Sequence, residues 1–375
     1  MKRLFLLISL VIALYVAKPL WEESISKYVD VSFFEPVDEK VEAFLNSESL
    51  STTVQYIGDT LDKAVLFLSS KLTEKNEVAS EVDKPSLTKP THTQFSIYNI
   101  EIGTSKEEVT AKLGEPNGRS VNEYGTEWLT YHEEYHNYVM VSFDDKQTVN
   151  GIYTNDDLIA SSVGVQYGSD KSLVRETFGK PIKELRKGTN IYILQESEGF
   201  DLFQVGETYA YIFYDLHKND TVTAIKLVSK KLEQQKTGMY AGGDSILQFG
   251  FEQQLFDLTN AARVRHGLNA LAWDDRAAGT ARKHSRDMAL NNYFSHENQQ
   301  GLSPFERMKN DGIVFRSAGE NLAYGQSSSI FAHEGLMNSL GHRENILLDR
   351  YSHLGVGAAF NDKSQPYYTE TFLLK

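Results

Sequence analysis

Two stretches of this chain read alike at a constant offset of 65 residues, and that repetition restricts the folds available to it. GTSKEEVTAKLGEP begins at Gly103 and GSDKSLVRETFGKP at Gly168. Gly103 matches Gly168, Val109 matches Val174, Leu113 matches Phe178, Gly114 matches Gly179 and Pro116 matches Pro181. Ser105 and Asp170 suit N-caps, because a short oxygen-bearing side chain can accept from a free amide of the first turn. Gly114 and Gly179 suit the residue after a helix, where the backbone turns left-handed, and the prolines then forbid continuation. Each copy therefore opens with a short helix. Strand-like runs follow over 127–132, 138–144 and 149–153 in the first copy, and over 190–195, 209–214 and 222–228 in the second. Two copies are too few for a solenoid. Residues 95–232 are expected to form a duplicated, small α+β domain.

The segments around this domain have other compositions. Lys2 and Arg3 precede an apolar run over 4–17, then Lys18, Pro19 and Trp21. A charged start followed by an apolar stretch predicts a signal peptide or signal anchor over 1–21, with the remaining chain outside the cell. The run is shorter than the roughly 20 residues of a typical spanning helix. Residues 22–75 are expected as a helical stalk, since Val41, Phe44, Leu45, Val54, Ile57, Leu61, Val65, Leu68 and Leu72 recur at helical spacing. Residues 76–94 and 233–249 are polar and read as linkers. Of the net charge of −13, residues 246–375 carry −1 (13 Lys and Arg against 14 Asp and Glu), so −12 falls before them. That balance argues against nucleic-acid binding. The chain has no cysteine, which excludes disulfides, thiolate zinc sites and a cysteine nucleophile.

Residues 250–375 hold the residues suited to chemistry. An opening helix carries Phe251, Leu255, Leu258 and Ala262, and a second carries Ala277, Ala281, His284 and Met288 on one face. His284 on that stripe is expected to be a hydrogen-bonded core histidine. A third helix is expected near 330–339, and two strands over 353–360 and 367–374 close the chain. His132 and His136, four apart in a strand, would stand about 13 Å apart, too far to share a metal. HEGLM at His333–Met337 lacks the second histidine of a zinc-protease helix, and no GxSxG elbow occurs.

NAARVRHGLNALAWDD, AGTARKHSRDMA, NYFSH, PFERMKNDG, AGENLAYG, LMNSLGHRENILL, HLGVGAAF and YYTETF follow in that order. Residues 250–375 thereby resemble, end to end, the bacterial branch of the CAP (SCP-like) superfamily, which includes cysteine-rich secretory, antigen 5 and pathogenesis-related proteins. The repeated region resembles the CAP-associated N-terminal domain of bacilli. The resemblance implies an α-β-α sandwich with a cleft lined by two histidines and two acidic residues. His296, Glu320 and His342 match three of them. The fourth position falls near Asn338 or Ser339, where no carboxylate stands; Glu334 and Glu344 are out of register, and Glu370 is another candidate. Ser295, Asn321, Asn338 and Arg343 are further candidate cleft neighbours. His296, His342 and Glu320 could hold a divalent metal such as zinc, or form a hydrogen-bonded network that pins loops around a cleft. Two functions follow. One is a membrane-tethered or secreted binding module at the cell surface, taking a small-molecule or lipid ligand or a surface protein. The other is a metal-assisted hydrolase of peptide or wall substrate.

Overall fold

A computed structural model describes residues 82–187, 190–194 and 199–375. The expected export segment and stalk lie outside the described residues. Among the described residues, no helix is long and apolar enough to cross a membrane.

The first domain runs β1 (Phe95–Ile97), α1 (Lys106–Leu113), β2 (Gly118–Val121), β3 (Glu127–Glu133), β4 (His136–Phe143), β5 (Val149–Thr154), β6 (Ile159–Ser161) and α2 (Lys171–Phe178). It continues with β7 (Glu184–Lys187), β8 (Asn190–Ile193), β9 (Phe200–Val205), β10 (Thr208–Asp215), β11 (Thr221–Ser229) and α3 (Lys230–Gln235). Both expected helices form at the expected residues. Ser105 accepts from the amide of Glu108, and Gly114 and Gly179 end their helices at φ 74° and 79°. Asp170 makes no side-chain cap; its backbone instead bridges Thr221.

Seven strands form one antiparallel sheet in the order β2-β3-β4-β5-β11-β10-β9. Strands from both halves therefore share a single core rather than two small sheets, with β5 and β11 paired at the seam. The bridge from the first helix cap joins Ser105 to Thr148, and that from the second joins Asp170 to Thr221, a span eight residues longer. The extra residues fall at the β7–β8 hairpin, which pairs only with itself. Residues 190–195, expected as the first strand of the second half, instead supply β8, and β9 takes the sheet position.

Two expected linkers are held to this domain. Amides of Thr91, His92 and Thr93 donate to the Glu101 carboxylate. Residues 230–235 form α3, which buries Leu232 and Glu233.

The second domain adds α4 (Ser245–Arg265), β12 (Ala272–Trp273), α5 (Asp275–Asn291), α6 (Pro304–Asn310), β13 (Ser317–Tyr324), α7 (Ser329–Asn338), α8 (Leu340–Ile346), β14 (His353–Phe360) and β15 (Pro366–Leu374). Its sheet runs β12-β14-β15-β13, leaving β13 as an edge strand. Helix α5 lies on one face and α4 on the other, an α-β-α sandwich. The close approach of α5 depends on Gly355 and Gly357: a Cβ on either would collide with the backbone of Ala277–Ala278 or Arg282. Their neighbour Val356 points to the opposite face and enters the core with Leu255 and Phe251.

The domains share a core as well as a surface. Leu258, Ala261 and Ile330 pack with Trp128, Tyr138 and Tyr211 of the first domain. Tyr153 donates to Glu334 at 2.6 Å, and Tyr135 donates to Asp257 at 3.2 Å.

Candidate functional site

The site is built around the free edge of β13. A strand sends successive side chains to opposite faces, so Glu320 and Asn321 are separated by the sheet. Glu320 faces the α5 side. His296 Nδ1 donates to Glu320 Oε1 at 2.9 Å, and Arg307 donates to Glu320 Oε2. Arg307 also donates to the carbonyl oxygen of His296 and, at 3.1 Å, to that of Leu302. Helix α6 aims this arginine: Ser303 and Glu306 form a capping box and Pro304 opens the first turn, so the helix start is well defined. His284 is buried, and its Nε2 donates to the carbonyl oxygen of Ser295 at 2.9 Å. The backbone before His296 is thus held from below by His284, and its own carbonyl by Arg307. The His296 side chain remains 53% exposed, with Nε2 outward because Nδ1 holds the carboxylate.

Asn321 faces the α4 side. Its amide donates to Glu370 Oε2 at 3.0 Å and to the carbonyl oxygen of His342 at 3.1 Å, while its oxygen accepts from Asn345 at 3.0 Å. Thr259 donates to Glu370 Oε1 at 2.6 Å. Glu370 is wholly buried, and burial pushes its carboxyl up to about 7. Asn321 and Glu370 therefore position α8 and His342 from beneath, without reaching the cleft themselves. His342 Nδ1 lies 2.8 Å from Ser339 Oγ. Burial lowers the pKa of His342, and positive charge on nearby His296 lowers it further. The two imidazoles come from different elements, His296 from the loop before α6 and His342 from α8, and lie near enough for one charge to act on the other.

The surrounding protein has known relatives. Residues 102–239 match the CAP-associated N-terminal family, and residues 256–372 match the cysteine-rich secretory protein family, CAP. Over 291 residues the chain is 30% identical to the uncharacterized membrane protein YlbC of Bacillus subtilis (strain 168), across 72% of this chain and 82% of that protein. It is 31% identical over 210 residues to the uncharacterized protein YkwD of the same organism, across 52% of this chain and 80% of that protein. This chain belongs to the cysteine-rich secretory protein (CAP) family. It does so without a single cysteine. An extracellular protein containing a SCP domain from Bacillus anthracis str. Ames is 29% identical, with a TM-score of 0.64 over 78% of this chain and 100% of that one. A cysteine-rich secretory protein from Staphylococcus aureus subsp. aureus Mu50, at 16% identity and a TM-score of 0.59, shares the fold.

The CAP cleft here does not suit zinc. Three bases would have to converge, yet both Glu320 oxygens are engaged by His296 and Arg307, and the guanidinium offsets the carboxylate charge. Among the described residues, no group of three or more His, Cys, Asp or Glu is arranged to hold a metal ion. A serine nucleophile is not assembled either. Ser295 Oγ accepts from the amide of Glu297. The Ser339–His342 contact has no carboxylate to orient the imidazole, because Glu320 is spent on His296.

Two residues expected at the cleft lie elsewhere. Asn338 bonds the backbone of Tyr214 and Leu216 in the first domain. Arg343 makes a two-pronged ion pair with Asp215, at 2.9 and 3.2 Å. Both fasten the CAP domain to its neighbour. Conversely, Arg307 and Asn345 take part in the site and were not among the expected residues. The signal for Arg307 was its place directly after the Ser303–Glu306 capping box, which fixes where the helix starts and so which way its fourth residue points.

Proposed function

We propose that this CAP protein acts at the bacterial cell surface as a ligand-binding or interaction module, tethered to the membrane by its N-terminal segment. The observation that carries this reading is the bonding of the cleft. Glu320 and Arg307 are spent on fixing the His296 loop, and Asn321, Glu370 and Asn345 on fixing His342. Such an arrangement presents two imidazole edges on a rigid support. It provides no activated nucleophile and no three-base metal site, which the hydrolase reading requires. The names of the relatives, a membrane protein and an extracellular one, support the location. The ligand class is a small molecule, a lipid or a surface protein.

The test is native mass spectrometry and peptide-hydrolysis assays on the full chain beside a His296→Ala/His342→Ala variant. The expected result is the bare mass of the chain in both, and no turnover of casein or of wall-peptide fragments. A divalent ion retained by the parent and lost by the variant, or turnover that the variant loses, would replace the binding module with the hydrolase.

A further inference from the structure

We propose that the cavity between the two domains, which adjoins the histidine site at Ser339, binds a ligand with one carboxylate head on an apolar body. The inference rests on the reading of this chain as a binding protein and names the place and chemistry of binding. The cavity measures about 690 Å³ and is lined by both domains, by residues 239–240 between them and by the β7–β8 hairpin. That volume lies in the range of small-molecule sites, roughly 300–1,000 Å³.

Its walls are aromatic. Phe331 of α7 stands edge-on to Phe200, Tyr211 and Phe213 of the first domain, with centroids 5.3, 5.4 and 5.5 Å away. Tyr124 and Tyr240 add further rings. Ile193 of the hairpin lines the cavity and is 80% exposed. An apolar side chain so placed serves no purpose in the hairpin's own packing, but it suits the rim of an apolar site.

The polar end is cationic. Glu233 is buried and receives hydrogen bonds from Tyr124 at 2.7 Å and Lys187 at 2.5 Å. Below them Lys226 pairs with Glu123. Three lysines thus face two carboxylates, and Lys236 makes the longest of these ion pairs. Its side chain is 9% exposed, and its Nζ lies 4.0 Å from Glu233 Oε1 and 5.2 Å above the Tyr124 ring. No hydrogen-bond acceptor reaches it among the described residues. Its one charge partner is thus a long ion pair, and a carboxylate entering the cavity that Lys236 lines would supply the hydrogen bond. Gln326, also on the lining, holds a buried Oε1 with no partner among the described residues and can accept from a ligand amide or hydroxyl. Ser339 lies on the lining too, so a ligand seated here ends beside the hydroxyl that contacts His342.

The ligand chemistry could come from a peptide C-terminus or from a fatty acid, and calorimetry on the full chain in phosphatidylcholine nanodiscs separates them, with empty nanodiscs as reference. One pair of probes is N-acetyl-Leu-Phe-Leu and its C-terminal amide; the other is dodecanoate and dodecanol. At least one acid is expected to bind about tenfold tighter than its neutral twin, the difference a charge-assisted hydrogen bond makes. Lys236→Met is expected to erase that preference while melting no lower than the parent, and Lys236→Arg to keep it. Preference in the peptide pair alone assigns a peptide end, and preference in the dodecyl pair alone a fatty acid. Equal binding of acid and neutral twin, no binding of any probe, or a preference that survives Lys236→Met would overturn the proposal. The hydrolysis assays are independent: turnover would defeat the binding-module reading, whereas equal probe affinities without turnover would defeat only this cavity assignment.

Discussion

Glu334 offers a direct measure of how tightly the two domains close. It sits on α7, wholly buried against the first domain, and accepts from Tyr153 at 2.6 Å. Burial pushes its carboxyl from 4.5 up to about 7. In the unfolded chain the group loses its proton near 4.5; in the folded protein it keeps it until about 7. Across that window the unfolded state binds fewer protons, so stability falls as pH rises. The difference of about 2.5 pH units corresponds to about 3 kcal/mol. Glu334→Gln keeps the shape and the hydrogen bond to Tyr153 but removes the titration. Urea unfolding should therefore show parent and variant within about 1 kcal/mol of each other near pH 5, and the variant more stable by about 3 kcal/mol near pH 7.5. If both proteins lose stability equally between those two values, Glu334 is solvated in the folded state and the closed interface described here is wrong.

Other changes test other contacts. Arg307→Met leaves the buried Glu320 with His296 alone and should cost about 3 kcal/mol in urea unfolding, as for a buried pair that loses one partner. Arg343→Leu strands the buried Asp215 at the domain boundary; calorimetry should show a single transition splitting into two, with the CAP transition lower. Gly357→Ala drives a methyl into the backbone of α5 at Arg282 and should cost about 1–3 kcal/mol by thermal melting, whereas an alanine at the exposed turn residue Gly267 costs through its φ of 75° alone.

The parts of the fold that were legible in the sequence are those governed by neighbours a few residues away. Caps and stopping glycines placed α1 and α2 because the groups that end a helix are satisfied within one turn. Two strand-like runs on either side of a turn-forming stretch placed β14 and most of β15. The region 190–195 misled because it is strand-like in itself, and only pairing across the sheet decides which strand-like run joins it. The stretch 233–235 looked like linker because its residues are polar, yet Glu233 is buried by the lysines and tyrosines that surround it.

The chemistry divides in the same way. His296, Glu320 and His342 could be named from motif order, because a motif records which side chains a loop carries. Which atoms each side chain meets is another matter. Glu320 is claimed by an arginine 13 residues earlier, Glu370 and Asn321 by a threonine and an asparagine on other elements, and Asn338 and Arg343 by a different domain. A hydrogen bond needs its partners within about 3 Å, and only the packed chain sets distances between residues so far apart in sequence. The sequence by itself therefore determined the elements and the candidate groups. The tertiary structure decided that two histidines stand on a bonded scaffold, and that a second, aromatic cavity opens where the domains meet.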